Sequence, residues 1–502
     1  MQQTASENSQ DRHGPFTFRV ALAWIAGLGV LLAVAGCGDS TPITPSVAKP
    51  FAGVSLTVRC ADPAFAKAIT SAAQSWATRT GAKVTIRPEA MTVADDADIG
   101  IIPTAELGAW AARDDLVSVP AGMRAADHPF QWTGVLPPYR EQLIEWGGQA
   151  RAVPLAGDAS VIVYRSDRLA DANVVAAFQK KHNRKPAVPT TWEEFADIAA
   201  VFAELDGKPS IAPMTAPELA ELFFRVAACY DRASRNDTTD AAPGSGLESL
   251  AFQQDLTTGA PRLETRGFTT AANWLASLQA RKCLSPQAPG TLSDPVAALA
   301  TDRSLAVVSL TQLAAFARLQ RENGGVAAKL AIAPLPGVRF TADTIPNYVP
   351  YFTGGRLGVV RTRCGNPEAA FDLLAELGGP ARSQEILSTP GLGAGPFRSA
   401  HLERDKLLIW LNYGFDADRS KSLQDALRLY LRPEVKNPVY GLRGPDQSEL
   451  NAVAADEVAK VATGTLTAPD GMKALTRAWD AIDARTPPET RLRWRKLAAG
   501  VE

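Results

Sequence analysis

Asp158 stands in a polar turn, Gly157-Asp158, between two short apolar runs, Ala152-Val153-Pro154-Leu155 and Ser160-Val161-Ile162-Val163-Tyr164. A carboxylate on such a turn can accept hydrogen bonds from solute hydroxyls, or it can bond its own backbone, as Asp in turns often does. Groups for bond-breaking chemistry are harder to find. The four histidines, His13, His128, His182 and His401, are scattered, and no HExxH, GxSxG or GxxxxGK[ST] pattern occurs. The stretch Gly391-Leu392-Gly393-Ala394-Gly395-Pro396 is glycine-rich, yet it lacks the lysine and the strand-to-helix setting of a phosphate loop. Asp95, Asp96 and Asp98 form the one dense carboxylate run. It could hold a hard cation or could cap a helix and start a strand, and the second role needs no further ligands. Carboxylates are plentiful enough to leave paired acids for glycoside hydrolysis open, although no pair lies in a recognisable catalytic context. No spacing calls for a cofactor or a metal.

The elements that must position these residues read as an alternating α/β chain. Residues 54–60 alternate as a strand, and Asp62-Pro63 supplies an N-cap and a first-turn proline. The helix that follows repeats apolar residues at Phe65, Ala68, Ile69, Ala72 and Trp76, a stripe that buries against a sheet. Strands at 84–87 and 98–102 and a helix at 104–112 continue the series, which predicts a parallel, helix-covered sheet. Ligands collect at the carboxyl ends of strands in such sheets, here near Cys60-Ala61-Asp62 and Pro103-Thr104-Ala105-Glu106, which makes Glu106 a candidate contact. The two runs around Asp158 then read as a crossing between lobes. Beyond it, Thr191 with Glu194 forms a capping box before a helix with Phe195, Ile198, Phe202 and Leu205 on one face. A strand at 211–214 points at the loop 215–218, where Glu218 is a candidate. Helices over 219–229 and 268–283 lead to a buried strand at 304–309, followed by Thr311 and Gln312. Residues 236–246 read as a surface loop. The C-terminal part is helical, interrupted by a loop at 437–444 that offers Tyr440 and Arg443 to the same cleft.

Composition narrows the setting. With 52 Lys and Arg against 53 Asp and Glu, the net charge of -1 gives no reason to expect nucleic acid. The N-terminus is more telling. Arg12 and Arg19 precede an apolar run from Val20 to Gly36 that stops at Cys37, the layout of a secretory signal. Val34-Ala35-Gly36-Cys37 looks like a bacterial lipobox, with Cys37 as the lipidated mature N-terminus; a permanent transmembrane anchor is the alternative. A tether rich in Thr, Pro and Ser follows to about residue 53. Of the other cysteines, Cys60 and Cys364 each end a strand, and Cys229 and Cys283 each follow a helix. An even count in an oxidising compartment favours bridges 60–364 and 229–283, with four buried thiols as the alternative.

Several of these stretches resemble extracellular solute-binding proteins of the sugar-transporter type (family 1). The resemblance rests on Val153-Pro154-Leu155 with Asp158 and Val163-Tyr164-Arg165-Ser166-Asp167-Arg168-Leu169, on Pro189, Thr191-Trp192 and Glu194-Phe195, and on Lys329 to Gly337. The run from Leu357 through Asn366-Pro367-Glu368-Ala369-Ala370 to Phe371 is the most specific mark. The resemblance implies a type II periplasmic-binding-protein-like fold: two α/β lobes joined by crossing hinge strands, with a ligand cleft between them. Residues 1–36 would be a lipoprotein signal peptide and 37–53 a flexible tether. Residues 54–155 with 341–396 would make lobe one, and 158–338 with 400–502 lobe two. It further implies that Asp158 matches the family's polar ligand-binding position, that Thr311 and Gln312 face the ligand, and that Trp192 is structural. Arg356 follows Gly354-Gly355 where the family often has an aromatic, a departure that would suit an acidic or phosphorylated solute. The expected function is capture of a small solute, a carbohydrate or derivative, and its delivery to the permease subunits of an ABC importer from a lipid-anchored position outside the cytoplasm. Alternatives are a lipoprotein that keeps the fold as a sensory or adhesive module, and a glycoside hydrolase.

Overall fold

The computed structural model describes residues 49–233, 250–285, 293–339, 346–429, 439–441 and 443–501. The expected signal peptide with Cys37, most of the tether and the expected loop 236–246 lie outside the described residues. Twelve strands are described: β1 Ser55–Cys60, β2 Lys83–Arg87, β3 Ile99–Pro103, β4 Glu145–Trp146, β5 Gln149–Ala150, β6 Val153–Ala156, β7 Ser160–Arg165, β8 Leu305–Ser309, β9 Leu330–Ala333, β10 Tyr351–Phe352, β11 Arg356–Val360 and β12 Val439–Tyr440.

Five of them form one sheet in the order β2-β1-β3-β11-β6. The first three are parallel, with Ser55 beside Lys83 and Val58 beside Ile99, and the helix Pro63–Thr80 makes the crossover from β1 to β2. Strand β11 returns antiparallel between β3 and β6. Asp62 caps the helix Pro63–Thr80 by accepting from the N–H groups of Ala64 at 2.9 Å and Phe65 at 3.1 Å. The predicted stripe of that helix is buried at Phe65, Ile69, Ala72 and Trp76. Asn366 caps Pro367–Gly378 on the same sheet through Ala369 N–H at 3.0 Å, and Trp76 Nε1 ties the two helices by donating to Asp372 at 2.6 Å.

The second sheet is β8-β7-β9, antiparallel throughout, with Ser160 opposite Ser309 and Ile162 opposite Ala333. Residues 211–214, expected as a strand, form isolated bridges rather than a ladder, with Ile211 beside Leu305. A helical layer covers one face of this sheet. There Trp192 is buried against Trp274, ring centres 5.4 Å apart, and the helices Trp192–Asp206, Ala216–Ala233 and Arg266–Ala280 share a core with Ala454, Val458 and Trp479. Thr191 accepts from Glu194 N–H at 3.2 Å as a cap, while the Glu194 carboxylate reaches the N–H of Thr190 at 2.8 Å, one residue earlier than a capping box would have it. Tyr351 belongs to this same core, beside Phe224 and Phe252, so the chain leaves the helical layer only after β10. The C-terminal helix Pro488–Ala498 reaches the first sheet's side, where Gly147 N–H donates to Leu497 O at 2.9 Å. Its anchor is the buried pair Arg495–Asp483, at 2.6 and 2.7 Å.

The bridges expected among the cysteines do not form, and Cys60, Cys229, Cys283 and Cys364 are all free and buried. Geometry explains the first pair. Cys60 ends β1 beside Ile101, whereas Cys364 lies past the far end of β11, beyond Arg361, whose N–H bonds Asp98 O. At about 3.3 Å per residue along a strand, that separation exceeds disulfide reach. Cys229 faces Trp192 and the backbone of Val349, while Cys283 leans on the carbonyl of Arg281.

Candidate functional site

Three passages between the sheets run side by side. Gly157-Asp158-Ala159 joins β6 to β7, Thr353-Gly354-Gly355 joins β10 to β11, and residues 393–396 lead out of the helix Pro380–Leu387. Gly157 and Gly395 zip the first and third together, N–H to carbonyl in both directions at 3.0 and 2.7 Å. The approach is too tight for side chains. A Cβ on Gly395 would stand 2.7 Å from Asp158 Cα, and one on Gly354 2.3 Å from Asp158 Oδ2. Glycine is therefore required at both positions.

Beside these passages opens a cleft of about 330 Å³ at the carboxyl ends of β1 and β3, lined by Asp62, Thr104, Asp158, Thr311, Thr353 and Arg356 among others. That is the location expected for a ligand in an open α/β sheet and a volume suited to a small solute. A second, tighter cavity of about 40 Å³ lies behind Asp158, against Trp192, Arg225, Tyr348 and Tyr351. It is large enough for roughly three waters.

Each polar group of the cleft has a definite setting. Asp158 Oδ1 accepts from Ala159 N–H at 2.8 Å. Burial, and then the nearby Glu221 carboxylate, push its pKa up to about 6, with Arg225 and Arg356 opposing. Arg356 is engaged on three sides: it donates to Asp62 Oδ2 and, at 2.9 Å, to Gly393 O, and its guanidinium lies 4.7 Å over the Phe65 ring. Thr104 Oγ1 donates to Thr353 O at 2.5 Å, binding the end of β3 to the second passage. Thr311 is exposed on the opposite wall, in the first turn of the helix Leu310–Glu322.

Of the residues singled out from sequence, Asp158, Thr311 and Arg356 come together at this cleft, and the others do not. Glu218 and Gln312 serve as helix caps. The Glu218 carboxylate accepts from Thr215 N–H at 2.7 Å, Gln312 Oε1 accepts from Ser309 N–H at 2.9 Å, and Gln312 Nε2 donates to Glu218. Thr215 with Glu218 and Ser309 with Gln312 are both capping-box spacings, a signal that was present in the sequence. Glu106 is half-buried in the short 3-10 turn Thr104–Glu106, its pKa raised by burial, and is not among the lining residues. Tyr440 stacks on Phe352 with ring centres 5.8 Å apart. Arg443 is buried, donates to the carbonyls of Ala498 and Gly441, and lines a separate small cavity of about 20 Å³. Asp62, Thr104 and Thr353 were not among the candidates, although Asp62 and Thr104 stand at the strand ends where ligands were expected.

Other chemistry in the chain is occupied. Asp95 holds Arg361 at 3.0 Å and Asp98 accepts from Thr57 N–H at 2.8 Å, so the acidic run grips arginine and backbone. Among the described residues no group of His, Cys, Asp and Glu is arranged to hold a metal ion. Ser383 Oγ and His401 Nε2 stand 3.1 Å apart, but both are 1 % exposed, and burial pushes His401 down to about 3.

Two sheets joined by three adjacent passages, with a polar cleft beside them, define the type II periplasmic-binding-protein fold. Residues 79–407 match the bacterial extracellular solute-binding protein family, and the chain belongs to that family. Solved structures agree on the fold. Maltose-bound MalE3 of T. maritima aligns at 15 % identity and TM-score 0.59, over 86 % of this chain and 100 % of that one. The sugar-binding protein MalE of Xanthomonas citri gives 15 % and 0.62, over 86 % and 98 %. An ABC transporter solute-binding protein of Agrobacterium radiobacter K84, in complex with ribitol, gives 16 % and 0.59, over 86 % and 100 %. No curated protein matches the sequence.

Proposed function

We propose that the protein captures a neutral polyhydroxylated solute, a sugar or polyol, in the cleft between Asp62, Asp158 and Thr311. We propose further that it delivers this solute to an ABC importer while tethered to a membrane through lipidated Cys37. The observation that carries the reading is the cleft itself: carboxylates and hydroxyls from both sheets converge beside the interlobe passages. Such groups exchange hydrogen bonds with solute hydroxyls, and lobe closure then favours the liganded state. Arg356 speaks for a neutral solute. Its pairing with Asp62 and Gly393 leaves little for an anion to displace, and Asp158 adds negative charge nearby. The ligands named for the T. maritima and Agrobacterium structures, maltose and ribitol, belong to the same neutral class.

A thermal-shift screen with maltose, ribitol, other sugars and polyols, and sugar acids tests this. Ligand at a hundred times its Kd stabilises by about 2.7 kcal/mol, several degrees for a chain of this size. A rise with a neutral sugar or polyol is expected. A rise with sugar acids alone would overturn the assignment of class.

A further inference from the structure

We propose that Tyr139 is the positioning residue of the interlobe hinge, holding the Asp158 backbone with its hydroxyl and all three passages with its ring. The proposal rests on the reading of Asp158 as a ligand contact, and its test is independent of any ligand. Tyr139 sits in a five-residue π-turn, Pro138–Gln142, closed by the bond from Leu143 N–H to Pro138 O at 3.0 Å. Single π-turns are rare and are found frequently at functional sites. Here the turn aims a phenol, 1 % exposed, at the main chain of the first passage. The hydroxyl donates to Asp158 O at 3.1 Å and accepts from Asp158 N–H at 2.9 Å.

Both hydrogen-bonding groups of one peptide residue are thus satisfied by one side-chain atom. Burial raises the phenol's pKa, so the proton needed for donation stays in place. The ring meets the other two passages edge-on: Phe352, just before Thr353, at 6.2 Å and 77°, and Phe397, just after Pro396, at 6.4 Å and 71°. The glycines are fitted to it. A Cβ on Gly157 would approach Tyr139 Oη to 2.7 Å, and one on Gly355 would lie 3.5 Å from its ring. An ordinary core tyrosine would meet one or two neighbouring elements. This one touches all three adjacent passages, and it sets the backbone of the carboxylate that faces the cleft.

Tyr139→Phe keeps the ring and deletes the hydroxyl, leaving Asp158 N–H without its acceptor. Amide hydrogen exchange of the ligand-free protein, read at Asp158 and Ala159 against β1 and β3, separates positioning from general stability. The expected result is exchange at Asp158 at least tenfold faster in the variant, with the β1 and β3 amides within a factor of two of the parent. Unchanged exchange at Asp158 would overturn the proposal. So would an equal acceleration everywhere, because Tyr139 would then be a core residue and nothing more. Tyr139→Leu, which also removes the ring, should accelerate exchange at residues 353–355 and 395–397 as well; confinement of its effect to Asp158 would refute the role of the ring. A failed thermal-shift screen with normal exchange behaviour would sink the solute assignment and leave the hinge role standing.

Discussion

Asp158 lends its chemistry to two measurements. Its carboxyl is pushed up to about 6 from an unfolded value near 3.9, so between those values the folded chain holds the proton more tightly than the unfolded chain. The associated stabilisation is complete below about pH 4 and is lost as pH rises through 6, on the order of 3 kcal/mol. Asp158→Asn should remove that part of the decline in apo stability between pH 4 and pH 7, measured as Tm against pH. An unchanged slope would show that Asp158 titrates normally. The same variant keeps an acceptor for Ala159 N–H but loses the charge offered to solute hydroxyls. A charged hydrogen bond contributes roughly 1.5–3 kcal/mol, so affinity for the solute should fall at least tenfold at pH 7.5, with an apo Tm equal to or above the parent's. Arg356 should behave in the opposite way. Arg356→Met breaks the pair with Asp62 and the contact over Phe65, and because both partners are partly exposed, the loss should be about 1 kcal/mol in apo stability. Calorimetry of the apo variant checks this.

At the scale of elements, the passages depend on close approach. Gly395→Ala sets a methyl group 2.7 Å from Asp158 Cα. The first and third passages must then part, at a cost of about 1–3 kcal/mol, and equilibrium unfolding would detect it. A Gly395→Ala variant as stable as the parent would mean that the two passages can separate freely. Much of this frame was legible beforehand. The β-α-β series, the caps at Asp62 and Asn366 and the crossing at 153–165 announce themselves through alternation and N-cap chemistry, which are local. Glu218 and Gln312 also have a local role: each stands three residues after a Thr or Ser, and the helix terminus engages the side chain. Tyr139 was illegible because Pro137-Pro138-Tyr139 reads as a turn. Its partners lie at Asp158, Phe352 and Phe397, distant in sequence and joined only by the fold.

For the whole molecule, strand direction decides where the cysteines lie. Cys60 ends β1 and Cys364 follows β11, two neighbours of β3 that run in opposite directions, so the two thiols lie at opposite ends of the sheet. A non-reduced digest analysed by mass spectrometry should therefore find Cys60, Cys229, Cys283 and Cys364 as thiols, and a peptide joining Cys60 to Cys364 would contradict the arrangement of the first sheet. The proposed membrane tether rests on Cys37, and Cys37→Ala should leave an unprocessed precursor, visible as a heavier band. The cleft beside the three passages is the proposed site of solute binding. Thr311 is exposed on its wall, so Thr311→Trp can fill the cleft without disturbing a core. Titration calorimetry of parent and variant with the best neutral solute from the screen measures the claim directly. At least a hundredfold loss of affinity is expected in the variant with an unchanged apo Tm; affinity within threefold of the parent would place the binding site elsewhere.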